Sequence, residues 1–179
     1  MTVLIAVRAE NSVWIGGDCR VSQNGTTICD NFPKWRKHGD LWWSSAGYQR
    51  IYQLADRKIY STVPKQHPLD LCEAIRLEVI ADSWSTDHCQ GGAPVDYQFD
   101  LLATDGARIV KYRGDGSAVV LHSLGTILAI GSGEEYALGA ATAVLPVEGA
   151  EMAVHAALAA ATRFSQSCGG DLFIKEIMP

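Results

Sequence analysis

The residue with the most chemical promise is Thr2, which stands one methionine from the start of the chain and runs straight into the apolar, β-branched stretch Val3-Leu4-Ile5-Ala6-Val7. A threonine hydroxyl is a poor nucleophile because it is essentially never ionised, but at a chain terminus its own α-amino group can take the proton. A free α-amine titrates at about 7.7 to 8, far closer to neutrality than a lysine amine. Taken singly, Thr2 is only the first residue of an edge strand, so the rest of the chain has to supply the case. Other groups offer less. Gly131 and Gly133 hint at a dinucleotide loop, but Tyr136 stands where the third glycine belongs. His38, His67, His88, His122 and His155 share no metal spacing and read mostly as surface or loop residues. Cys19 has no histidine base placed beside it and reads as a small buried hydrophobe.

Composition narrows the classes open to such a nucleophile. A chain of 179 residues reads as one domain, 1–179, able to bury roughly 70 % of the surface its unfolded form exposes. A net charge of −5 argues against nucleic-acid partners, which demand a basic face. The five cysteines are odd in number and scattered, without a Cys-x-x-Cys pair, as expected of a reduced cytoplasmic protein. No run of apolar residues approaches the roughly 20 of a membrane span.

The elements that must position Thr2 follow from periodicity. Strands are expected over 3–8 and 13–17, joined by a tight turn at Ala9-Glu10-Asn11-Ser12, then over 19–22 and 26–29 around Asn24-Gly25. The stretch 32–40 is polar, and Pro33 argues against a central strand. A strand over 41–47 ends on Gly47. Apolar spacing predicts helices over 48–60 and 69–84, and 82–96 reads as a loop. Strands then return at 99–104, 108–113, 118–122 and 126–130, followed by alanine-rich helices over 134–144 and 150–166 and a last strand over 172–177. Helix pairs separated from antiparallel strands predict an α+β fold, a four-layer αββα sandwich of two stacked sheets between helical layers.

In that order the chain resembles the N-terminal nucleophile hydrolases, specifically the proteasome β-subunit/HslV type, including bacterial proteasome homologues. The resemblance spans essentially the whole chain. It is carried by Gly16-Gly17-Asp18-Cys19-Arg20-Val21-Ser22, by Lys34 at the family's spacing from Asp18, by Ser45-Ala46-Gly47 before the first helix, and by Gly131-Ser132-Gly133 opening the third. One segment departs from the pattern. Where the family has an aspartate, two residues, a serine and paired glycines, this chain reads Ser165-Gln166-Ser167-Cys168-Gly169-Gly170.

The resemblance implies a threonine-type endopeptidase, active once Met1 is removed and needing no cofactor. Thr2 would attack a peptide carbonyl, while Lys34 lowers the pKa of the nucleophile and its amine. Asp18 would orient that lysine, with Arg20 sharing the carboxylate. The N–H of Gly47 would receive the oxyanion and Ser132 would support the amine. Ser165, Cys168 and Gly169 would buttress the site, with the identity of any cation there left open. Val21, Ser22, Phe32, Arg36 and Ser45 fall at positions of the family's specificity pocket, which implies apolar or acidic side chains before the cleaved bond. The family also implies polypeptide substrates, a homo-oligomeric double ring of roughly six or seven chains per ring, and an ATP-dependent unfoldase. The alternative is a catalytically silent, ring-forming scaffold of the same fold. Trp14, Trp35, Trp42, Trp43 and Trp84 are more indoles than so small a sandwich is expected to bury, and so point to an interface.

Overall fold

The structure, a computed structural model, describes residues 2–23, 26–47, 50–56, 67–85, 89–90, 93–94 and 99–179. Asn24-Gly25, both ends of the first predicted helix, and residues 86–88, 91–92 and 95–96 of the predicted 82–96 loop, His88 among them, lie outside these residues, as do the side chains of Trp84 and Cys89.

Chain order gives β1 (Leu4–Arg8), β2 (Val13–Asp18), β3 (Val21–Gln23), β4 (Thr26–Cys29), β5 (Arg36–His38) and β6 (Leu41–Ala46), then helices α1 (Arg50–Leu54) and α2 (Pro68–Ser85). The two-residue strands β7 (Cys89–Gln90) and β8 (Ala93–Pro94) follow, then β9 (Asp100–Thr104), β10 (Ile109–Arg113), β11 (Ala118–Leu121) and β12 (Ile127–Ile130). Helix α3 (Glu134–Phe164) and strand β13 (Leu172–Ile177) complete the order. Four strands form one sheet in the order β12-β1-β2-β13, and five form another in the order β11-β10-β9-β6-β5. Every pairing in both is antiparallel, as the hairpin turns require. The chain is therefore α+β.

Strand β1 is central because both its faces are apolar: Val3, Ile5 and Val7 face α3, and Leu4 and Ala6 face the other way. The alanines of α3 pack closely on the sheet, with Ala137, Ala141, Ala153, Ala157 and Ala161 fully buried. Gly16 permits this approach, since a Cβ there would lie 2.5 Å from Val154 Cγ1. A second cluster joins α1 and α2 to Trp43, Leu101, Ala103 and Val110 of the five-stranded sheet. A third holds Leu4, Ala6 and Ile15 together with Trp35, Leu102 and Ile109, residues drawn from both sheets.

The two alanine-rich helices expected here are present as the two halves of α3, divided at Gly149, which is non-helical (φ 84°, ψ −178°). Three expectations need correction. The polar stretch 32–40 contributes β5, at the edge of its sheet, where a short strand needs only one neighbour. Trp35 and Trp43 are buried, Trp14 and Trp42 half-buried; none of these four indoles forms an exposed patch. Among the histidines, His38 is buried rather than on the surface.

Candidate active site

Strand pairing brings the predicted residues together. The end of β2 carries Asp18, fully buried, beside the start of β1, where Thr2 is only 5 % exposed. Thr2 Oγ1 donates to Asp18 Oδ1 at 2.8 Å, and the Val3 N–H donates to the same oxygen at 2.9 Å. Lys34 Nζ reaches it as well, at 2.6 Å, in an ion pair almost wholly shielded from solvent. The other carboxylate oxygen, Oδ2, accepts from the Gly169 N–H at 3.1 Å. Four donors thus offset the cost of burying one carboxylate. Val3 and Gly169 supply theirs from the backbone, so sequence reasoning could not see Val3 in the site at all.

Burial lowers the pKa of Lys34 below the ordinary lysine value, against the opposing pull of Asp18. The Lys34 carbonyl accepts from Ser44 Oγ at 2.9 Å, and Ser44 Oγ lies 3.1 Å from Tyr52 Oη. Tyr52 was legible only as one apolar position of a predicted helix. Its hydroxyl also accepts from the Ser45 N–H at 3.0 Å and donates to the Ser45 carbonyl at 2.9 Å, and burial raises its pKa to about 12.

On the other side of Thr2 the backbone N–H donates to Ser132 Oγ at 3.3 Å, and the Thr2 carbonyl accepts from the Gly133 N–H at 3.3 Å. Gly131 makes this approach possible. Its φ of 98° and its closeness to Thr2, whose carbonyl oxygen would sit 2.3 Å from an added Cβ, exclude any larger residue. Cys168 is buried, with Sγ 3.9 Å from Ser132 Oγ and donating to Ser165 Oγ at 3.5 Å. Burial raises the Cys168 pKa and keeps its thiol protonated. A contact path therefore runs from the Thr2 nitrogen through Ser132 and Cys168 to Ser165.

Arg20 is not where the sequence suggested. Its Nε donates to Asp30 Oδ1 at 2.7 Å, and its backbone N–H to the Gly169 carbonyl at 2.9 Å, while Asp18 takes its own four donors elsewhere. Gly47 follows β6 with φ 108° and is exposed. Of the pocket residues, Val21 is buried, Phe32 and Arg36 are half-buried, and Ser22 Oγ and Ser45 Oγ are buried without a hydrogen-bond partner among the described residues. No group of three or more histidine, cysteine, aspartate or glutamate side chains suited to a metal ion occurs among the described residues.

No family model matches the sequence. Among solved structures, the chain is similar to Thiobacillus denitrificans BPH, with 19 % identity over 99 % of both chains and a TM-score of 0.77. It is similar to the same protein in complex with epoxomicin, with 20 % identity over 99 % of this chain and 100 % of that one and a TM-score of 0.73. HslV from Trypanosoma brucei matches with 22 % identity over 99 % of both chains and a TM-score of 0.71. Across its whole length, then, the chain shares the fold of HslV-type proteins, and the antiparallel sheets and helices described above are that fold.

Proposed function

We propose that this chain is an N-terminal threonine peptidase of the proteasome/HslV type, made active by removal of Met1. The observation that carries the reading is the convergence of Thr2 Oγ1 and Lys34 Nζ on one oxygen of the buried Asp18. With Met1 gone, the Thr2 nitrogen becomes an amine next to Ser132 Oγ. Thr2 Oγ attacks the substrate carbonyl and gives its proton to the neutral amine, while the Lys34 ammonium, held by Asp18, lowers the pKa of the hydroxyl and the amine. The Gly47 N–H receives the oxyanion. The amine returns its proton to the leaving nitrogen, and water then releases the acyl group from Thr2. Ser165, Cys168 and Gly169 support this arrangement from behind.

The three apolar clusters support a four-layer αββα order for this single domain. The same reading includes polypeptide substrates, a cytoplasmic double ring of identical chains, and delivery by an ATP-driven unfoldase, without nucleic acid or membrane.

The test begins with intact mass, which is expected to show loss of Met1 from protein made in its own host. Processed protein is expected to turn over fluorogenic peptides and to be inhibited by epoxomicin, with kcat/KM rising with pH as the base loses its proton. Thr2→Ala is expected to be inactive, and Lys34→Ala to lose at least ~100-fold in turnover. A Lys34→Ala rate within tenfold of wild type removes Lys34 from the mechanism. Retention of Met1, with no turnover, favours the silent scaffold.

A further inference from the structure

The candidate nucleophile and the group proposed to receive its oxyanion stand on different sheets. Thr2, Asp18 and Ser132 adjoin β1, β2 and β12 of the four-stranded sheet, whereas Gly47 follows β6 of the five-stranded one. Their separation therefore depends on how the two sheets are held at this end of the molecule. The apolar layer between them supplies attraction without direction. Polar contacts that cross the layer supply the direction. On one flank Trp35 Nε1, in the segment leading into β5, donates to the Gly16 carbonyl of β2 at 2.9 Å. On the other flank the crossing is made by Lys111.

Lys111 lies on β10 opposite Leu102 of β9, and Leu102 belongs to the apolar cluster drawn from both sheets. Cross-strand partners share a face, so the Lys111 side chain points toward the four-stranded sheet. Its Nζ donates to the Ala129 carbonyl of β12 at 3.0 Å and to Glu134 Oε1, at the start of α3, at 2.6 Å. The lysine side chain is 14 % exposed and that of Glu134 29 %, so the cation is the better shielded partner.

These two acceptors bracket the turn that holds Thr2. Between them, Ser132 Oγ accepts from the Thr2 N–H at 3.3 Å, and the Gly133 N–H donates to the Thr2 carbonyl at 3.3 Å. The Glu134 N–H closes the turn on the Gly131 carbonyl at 3.0 Å. One ammonium from the second sheet thus grips both ends of a turn whose middle grips the nucleophile. A methionine of similar length would fill the same space without burying a charge, but it would release both ends. We infer that Lys111 is a positioning residue: with Glu134 it fixes the 129–134 turn, and through that turn it fixes the Thr2 amine relative to the Gly47 N–H. This rests on the peptidase reading and adds to it a residue outside the motifs that carry the resemblance.

The test uses processed protein. Lys111→Met is expected to lower kcat on a fluorogenic peptide by about tenfold, short of the roughly hundredfold that a 1 Å misplacement of reacting groups can cost, with KM held to within about twofold. Lys111→Arg, which keeps a cation with several donors, is expected to recover most of that loss. Native-state hydrogen exchange gives a readout independent of turnover. In Lys111→Met the Gly133 N–H is expected to exchange at least ~10-fold faster, while the amides that pair β2 with β13 keep their wild-type rates. A general loss of stability would accelerate both sets, so equal acceleration overturns the inference. An unchanged Gly133 rate does so too, as does a kcat within about twofold of wild type. Should Lys111→Met fail to fold, Glu134→Gln, at the more exposed partner, is read in the same way for a smaller loss in the same direction. If the wild type turns over no peptide, the peptidase reading alone has failed and hydrogen exchange decides: selective loosening at Gly133 upholds the grip of Lys111 on the turn, and its absence overturns it.

Discussion

Asp18 serves the candidate nucleophile and the fold through the same two oxygens. It accepts from a hydroxyl, an ammonium and two backbone N–H groups while wholly removed from solvent. Asp18→Asn keeps the shape but replaces one acceptor by a donor and takes the carboxylate away from the buried Lys34. Breaking a buried pair from one side costs about 3–5 kcal/mol, so the urea midpoint is expected to fall by that much stability with an unchanged m-value. A loss below about 1 kcal/mol would mean that water replaces the missing partner. Sequence order and spacing brought Thr2, Asp18, Lys34 and Ser132 into view because each has a side chain suited to the task. They misplaced Arg20, since two carboxylates, Asp18 and Asp30, lie within its reach along the chain, and only the fold decides that it takes Asp30. Tyr52 was hidden for another reason. On an apolar helical face its ring accounts for the residue completely, and nothing in the pattern asks for its hydroxyl.

At the scale of elements, the strands were the most legible because alternation and turn residues are local signals. Strand β5 escaped because three polar residues at a sheet edge need no apolar alternation. The two alanine-rich helices were legible as separate runs, and the break between them falls at Gly149 inside α3, with Pro146 just before it. That kink makes a clean experiment. A Cβ at Gly149 would have nothing within 4 Å, so Gly149→Ala meets no steric contact and its cost is torsional only. The observed φ of 84° with ψ near −178° is a glycine conformation, and holding alanine there costs about 1–3 kcal/mol. The expected result is a lower Tm in calorimetry with the site's chemistry intact. An unchanged Tm would show that the helix straightens at no cost.

For the whole molecule, the order of strands and helix pairs made the class of fold readable, while the surface did not follow from composition. The tryptophans expected at an interface are largely internal. The most exposed large apolar residues among the described ones are instead Val147 and Phe164 on α3, Leu124 in the turn before β12, and Met178 near the end of the chain. Tyr136 and Phe164, both exposed and near the two ends of α3, meet in a tilted ring contact at 5.8 Å because the chain reverses at Gly149. Such exposed apolar surface favours burial against other copies. Light scattering of processed protein is expected to give a closed oligomer many times the 19.4 kDa chain mass. A monomer at micromolar concentration in moderate salt would remove the ring, and with it the case for processive proteolysis.

On the peptidase reading, the shared carboxylate also constrains how such a lineage could fall silent. Thr2 could be exchanged, but Asp18 still has the Val3 and Gly169 N–H groups to satisfy and Lys34 stays tied to it as a buried pair. A silent descendant would therefore be recognisable by an aspartate and a lysine that outlive their threonine, relics kept for architecture.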